Sequence, residues 1–232
     1  IKIPSTRIEI IDILFKNDFI NYTFTVFCLA ILINGSNFVD GINTLLINYY
    51  IIVLGLILLF LNDMNIDQYF VINLFSLLII ILLFNVFGQI ILGDSGAYIL
   101  SLVIGLILIE LPKENNLISP YFVILLIWYP CFELLFSMIR RLMLNLYSYK
   151  PDTMHLHQMI LKIISNNLKF KSNNVNHFFA ASIINLYNLF ILSISLNFND
   201  KTNISLVLIV INITVYIVTY LVLKKKLKLP QS

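Results

Sequence analysis

Tyr69–Leu111 reads YFVINLFSLLIIILLFNVF, then GQIILGDSG, then AYILSLVIGLILIEL: two apolar runs, Tyr69–Phe87 and Ala97–Leu111, parted by Gly88–Gly96. Roughly 20 mostly apolar residues carry a helix across a bilayer core. In hydrocarbon every backbone polar group needs an internal partner, so runs of this kind are helices. The pair therefore predicts an all-α, polytopic transmembrane bundle. Between the runs stands Gly93-Asp94-Ser95-Gly96. A carboxylate at a membrane edge is costly and is kept for a partner or a metal. The flanking glycines allow a sharp turn and close approach of something bulky.

Working outward, Phe19–Ile33 and Ile42–Leu61 precede this stretch, and Leu117–Ile139, Asn176–Leu196 and Ser205–Leu223 follow it. That predicts about seven spans, with residues 19–223 as the bundle, 1–18 as an extracytoplasmic loop, 140–176 as a cytoplasmic loop and 224–232 as a cytoplasmic tail. Pro130 is expected to kink the fifth span. The chain is 59% hydrophobic and 12% charged with mean hydropathy +0.92, which excludes an ordinary soluble domain. Cys28 and Cys131 lie inside apolar runs and read as core residues rather than a disulfide or metal pair. No nucleic-acid partner is expected. The chain begins on Ile1 with no leader before it, and is expected to be part of a longer protein.

Seven crossings place the connections alternately on two sides. One side carries Arg140, Arg141, Lys150, Lys162, Lys169, Lys171, Lys224, Lys225, Lys226 and Lys228; the other carries Lys2, Arg7, Lys16, Lys113 and Lys201. Positive charge marks the cytoplasmic face, so the richer side is inside. Three polar clusters fall there. Asn34, Asn37 and Asp40 recur every third residue and share one stripe on a helix end, with Gly41 following. They suit a sugar, a base or a hydrated cation, or simply a helix terminus among lipid headgroups. Asp94 suits a hard divalent cation, whose shell phosphates and water complete; a turn or helix cap accounts for it equally well. Pro151-Asp152-Thr153-Met154-His155-Leu156-His157 has alternating imidazoles, which an extended segment aims together and a helix does not. With Lys150 they have the charge to neutralise a diphosphate. Zinc is the rival for two histidines, without a third ligand nearby, and a solvated loop is the plain reading. Arg140-Arg141 anchors a helix end or contacts phosphate; His177 reads as an interface residue; Glu133, about two turns deeper than the arginines, needs a partner.

The order of these motifs, an Asn-x-x-Asn-x-x-Asp-Gly helix end, a Gly-Asp-Ser-Gly loop, and Arg-Arg followed by Pro-Asp-x-x-His-x-His, resembles the polyprenyl-phosphate N-acetylhexosamine-1-phosphate transferases, relatives of phospho-N-acetylmuramoyl-pentapeptide transferase. The resemblance covers nearly the whole chain, corresponding to the later two-thirds of a typical member. It implies transfer of a sugar-1-phosphate from a UDP-N-acetylhexosamine to a polyprenyl (undecaprenyl) phosphate with release of UMP. Mg²⁺, or Mn²⁺ in its place, is the implied cofactor. The implied setting is the bacterial inner membrane with the site facing the cytoplasm, at the first membrane step of a cell-envelope glycan such as O-antigen. A homodimer is among the expected assemblies.

Carried over by position, the catalytic residues are Asp40, Asp94, His155 and His157, with Asp94 as the metal ligand; Asn34, Asn37, Gly41, Gly93, Ser95, Arg140, Arg141 and Lys150 are the substrate-binding set, and the family's carboxylate ahead of the arginines falls on Glu133. The chain departs from the family where Asn43 follows Asp40-Gly41-Ile42 in place of a second Asp, and where Gln158 stands in place of a further His. The family's early Asp-Asp pair has no counterpart here, so the chain as given is expected to be inactive alone. The competing expectation is a transporter or a non-catalytic membrane subunit. A transporter places its polar groups near the midplane, often with an internal repeat; a transferase gathers them at one edge.

Overall fold

The computed structural model describes residues 2–59, 66–143, 154–168 and 172–228, and among these every regular element is an α-helix. In chain order they are α1 (Glu9–Leu14), α2 (Asp18–Val39), α3 (Leu45–Leu58), α4 (Gln68–Val86), α5 (Gly93–Glu114), α6 (Pro120–Leu126), α7 (Trp128–Met143), α8 (Leu156–Leu168), α9 (Asn173–Leu196) and α10 (Thr202–Lys226). Their starts follow local chemistry. The Asn17 side chain accepts from the backbone N–H of Phe19 and Ile20 at the head of α2, Asp67 does so for Phe70 on α4, and Ser119 does so for Tyr121 with Pro120 opening α6. Lys224, Lys225 and Lys226 close α10, where positive charge suits the negative end of a helix.

Among the described residues five helices (α2, α4, α5, α9 and α10) are long and apolar enough to cross a membrane, and α6 with α7 makes a sixth if the bent pair is one span. The expectation of about seven differs from this count at α3. The Ile42–Leu61 run yields α3, whose 14 described residues reach about 21 Å at 1.5 Å per residue, short of a core of about 30 Å. Instead α3 is the hub. Leu45, Leu46, Tyr49, Tyr50, Val53, Leu54 and Ile57 are all fully enclosed, as befits a helix apolar on every side.

The fifth expected span is broken by 75° between α6 and α7. Pro130, the third residue of α7, has no N–H to return to the carbonyl of Leu126. That carbonyl is taken by the Tyr49 hydroxyl of α3 at 2.9 Å, so the break leaves no orphan acceptor. Beside it α2 comes very close: a Cβ added to Gly35 would stand 2.2 Å from the Pro130 carbonyl oxygen. Gly35 is there because two backbones touch.

Connections collect at two ends. At one, the Arg7 guanidinium donates to the carbonyls of Asn116 (3.0 Å), Leu117 (2.8 Å) and Asp200 (2.8 Å) and to the Thr202 hydroxyl (3.1 Å). This ties residues 2–8 to the α5–α6 and α9–α10 turns, as the alternation of spans requires. The opposite end holds the site. Three boundaries differ from the sequence reading. The Gly93–Gly96 segment is the first turn of α5, not a loop; Pro112 lies inside α5; and the stretch read as a polar loop over 140–176 contains the last turn of α7 and all of α8. In each case polar residues at a helix end were taken for a connection.

Candidate functional site

Asp40 closes α2, with its backbone N–H bonded to the Ser36 carbonyl at 3.0 Å. Asp94 stands in the first turn of α5 and is exposed. The two acids meet the two ends of helix dipoles: Asp94 the positive end of α5, Asp40 the negative end of α2. They are close. Burial pushes the Asp40 carboxyl up to about 7, the charge of Asp94 adds to the rise, and the Gly93 backbone N–H, donating to Asp40, opposes it. Gly93 holds φ +67°, a left-handed conformation, with open space where a Cβ would sit. Ser95 beside it is exposed.

On the α2 stripe, the Asn37 amide donates to the Tyr98 hydroxyl at 3.2 Å, and Tyr98 lies one turn beyond Asp94 on α5. The Asn34 amide turns back to the Ala30 carbonyl of its own helix at 2.7 Å.

The imidazoles come to the same rim from the head of α8. His157 is buried, and its Nε2 would be 3.4 Å from a Cβ on Gly41. The rings of His155 and His157 stack 5.4 Å apart at 12°. The extended backbone expected for such a pairing ends at His155, since α8 begins at Leu156. Glu133 holds the first ring, and the second stacks on it with Glu133 nearby. His155 Nδ1 is 2.9 Å from its Oε1, His157 Nδ1 is 3.8 Å from its Oε2, and the Leu156 N–H donates to Oε1 at 3.3 Å. Glu133, 1% exposed, thus also caps α8. A carboxylate only accepts, so Nδ1 of His155 is the donor toward it. Phe38 packs on the His155 ring at 5.2 Å.

Arg140 is buried and turned inward. It donates to the Met154 carbonyl, to the Tyr220 hydroxyl at 3.1 Å and to Ser137 Oγ at 3.3 Å, and lies over the Tyr220 ring at 5.5 Å. Its place is under the backbone entering the histidine pair. Arg141 is half-buried. Lys150 lies outside the described residues, as do Pro151, Asp152 and Thr153.

Sequence reading missed the asparagines that suspend these turns. The Asn85 side chain accepts the Thr44 N–H and donates to the Ile90 carbonyl at 2.7 Å; Asn174 donates to the Phe87 carbonyl at 3.1 Å; Asn185 donates to the Leu45 carbonyl at 3.1 Å. His177, at the head of α9, accepts the Asn43 N–H at 3.3 Å. For Asn85 and Asn185 the signal was an amide inside an apolar run, which hydrocarbon does not tolerate without a partner. Beside them an apolar groove of about 330 Å³ opens between α4 and α9, lined by Val86, Phe87, Ser172, Asn174, Val175 and Phe178.

Among the described residues no three His, Cys, Asp or Glu side chains form a closed metal cage. Two neighbouring carboxylates, one of them held partly out of water, fit a cation that takes one or two protein carboxylates and completes its shell with phosphate oxygens and water.

Comparison with curated proteins and with solved structures gives no match. Residues 2–112 match the family model for glycosyl transferase family 4, a segment that holds the Asn34–Gly41 stripe and the Gly93–Gly96 turn. The match fits the membrane family of polyprenyl-phosphate sugar-1-phosphate transferases, whose motif order the chain resembles.

Proposed function

We propose that the protein transfers N-acetylhexosamine-1-phosphate from a UDP-sugar to polyprenyl phosphate at the cytoplasmic face of a bacterial inner membrane, releasing UMP and starting a cell-envelope glycan. The observation that carries this reading is the meeting of Asp40, Asp94 and the His157–Gly41 contact at one end of the bundle. Such an edge site suits a soluble nucleotide on one side and a lipid phosphate on the other.

An oxygen of the acceptor phosphate attacks the β-phosphorus of the UDP-sugar. The bond from that phosphorus to the bridging oxygen breaks, and UMP leaves with the bridging oxygen. Bound Mg²⁺ would screen the repulsion between the phosphates and offset charge on the departing oxygen. Asp40 and Asp94 would hold it, Asp94 as the exposed ligand and Asp40 as the half-buried one. His155, held by Glu133, stacks on His157, whose buried Nε2 lies against Gly41 next to Asp40, so the pair is already placed beside the site. Asn37 and Tyr98 form a polar wall suited to the sugar or base. The groove between α4 and α9 is apolar and suits a prenyl chain.

The test uses the full-length protein in membranes with UDP-N-acetylhexosamines and undecaprenyl phosphate. UMP release should appear, vanish with EDTA, and fall at least ~100-fold in Asp94→Asn, the order of loss when a preorganised charge-stabilising group is removed. Undiminished turnover in that variant would remove Asp94 from the site.

A further inference from the structure

We propose that Asn85 is the joint that sets the spacing of the two acid-bearing turns: one carboxamide that clasps the turn after Asp40 and the loop before Asp94. The inference rests on the reading of those acids as a shared cation site and goes beyond it by naming what positions them.

Asn85 sits in the last turn of α4 and is 2% exposed. Its Oδ1 accepts the N–H of Thr44, four residues after Asp40; its Nδ2 donates to the carbonyl of Ile90, four before Asp94. Both turns carry left-handed backbone. Thr44 has φ +72°, a left-handed conformation that a β-branched residue adopts only when its surroundings impose it. The 88–93 loop has a left-handed glycine at each end, Gly88 at φ +70° and Gly93 at φ +67°, and glycine by itself favours no single backbone state. Across this gap the Gly93 N–H faces the Asp40 carboxyl and favours its ionised form. The two Asn85 bonds thus link the turn that follows Asp40 to the loop that leads into Gly93 and Asp94. Only a carboxamide offers a donor and an acceptor from one short planar group. Aspartate keeps the acceptor alone, and leucine of similar size keeps neither. Asn85 is therefore a positioning residue, acting on the cation through Asp40 and Asp94.

The experiment compares wild type, Asn85→Leu, Asn85→Asp and Asp94→Asn in full-length protein reconstituted in nanodiscs. It reads backbone hydrogen exchange without metal, and Mn²⁺ affinity by electron paramagnetic resonance. Asn85→Leu should speed exchange in both segments 41–46 and 88–94, and weaken Mn²⁺ binding ~10–100-fold, the usual cost of losing a group that orients metal ligands. Asn85→Asp should speed exchange in 88–94 alone and weaken Mn²⁺ less; it carries the test if Asn85→Leu does not fold.

Exchange unchanged in 41–46 of a folded Asn85→Leu would overturn the joint. So would both turns loosening while Mn²⁺ binds as in wild type and Asp94→Asn does not bind. If wild type takes up no Mn²⁺, or Asp94→Asn binds it equally, the cation reading fails, and the exchange pattern alone then decides the joint.

Discussion

His155 Nδ1 lies 2.9 Å from the Oε1 of Glu133, and the same oxygen receives the Leu156 N–H at 3.3 Å. One buried carboxylate on α7 thereby sets both the start of α8 and the direction of its imidazoles. A hydrogen bond to a charged group is worth about 1.5–3 kcal/mol, so Glu133→Gln should lower kcat ~10–100-fold with KM for the UDP-sugar little changed. The ¹⁵N spectrum of labelled histidine should change with it, since the amide no longer fixes Nδ1 as the donor. Unaltered tautomers in the variant would mean that Glu133 does not orient the rings.

Asp40 gives the protein a pH dependence whose sign can be worked out. Its folded pKa, about 7, is raised above the ordinary carboxylate range by burial first and by Asp94 second. Below the unfolded value both states are protonated and Asp40 contributes no pH dependence. Between about 4, the unfolded value, and 7 the native state holds the extra proton, so stability falls as pH rises. Above 7 both are ionised and the penalty is complete. In EDTA the melting temperature of wild type should therefore fall from pH 5 to 8, and Asp40→Asn should flatten that fall. Saturating Mg²⁺, which would favour the ionised acid, should restore the loss at pH 8. A wild-type profile identical to that of Asp40→Asn would remove Asp40 from this role.

Much of the fold was legible because hydrocarbon leaves a chain few choices. Apolar runs became helices, and the stripe Asn34–Asn37–Asp40, three residues apart, came out on the last turns of α2. What could not be read was long-range. Nothing local says that the carbonyl freed by Pro130 finds Tyr49, 77 residues upstream of Leu126, or that Ile42–Leu61 yields an enclosed hub and not a simple crossing. Polar helix ends misled in both directions. Gly93–Gly96 looks like a turn from its glycines yet opens α5, because Asp94 is favoured at a helix N-terminus as much as in a loop. The histidines lie by sequence in a solvated loop; their burial depends on Glu133 and Arg140, contributed by another helix.

The Leu126–Tyr49 bond gives a stability prediction separate from catalysis. Tyr49→Phe removes the hydroxyl and leaves the Leu126 carbonyl buried without that donor, at a cost of about 1–3 kcal/mol. The melting temperature should fall, while the Mg²⁺ dependence of the folded protein stays as it was. A variant as stable as wild type would mean that the α6–α7 break finds its partner elsewhere.

Gly35 tests the packing of α2 on α7. A methyl there meets the Pro130 carbonyl oxygen at 2.2 Å, and backbone on both sides leaves nothing flexible to yield. Gly35→Ala should destabilise by about 1–3 kcal/mol, the usual range for an overfilled contact, and Gly35→Leu should block folding. Gly55, whose nearest neighbour is a Phe75 ring atom at 3.5 Å, is the control: Gly55→Ala should be tolerated. Equal tolerance at both glycines would contradict the close approach of α2 and α7.

The most direct test of a single cation shared by Asp40 and Asp94 is a double-mutant cycle on Mg²⁺-dependent UMP release by the full-length protein, using Asp40→Asn, Asp94→Asn and the pair. Groups that act as one unit give strongly non-additive losses. The account predicts that the double variant is no slower than the slower single one, with the Mg²⁺ requirement lost in all three. Losses that multiply, with each single variant still saturating at the wild-type Mg²⁺ concentration, would contradict it.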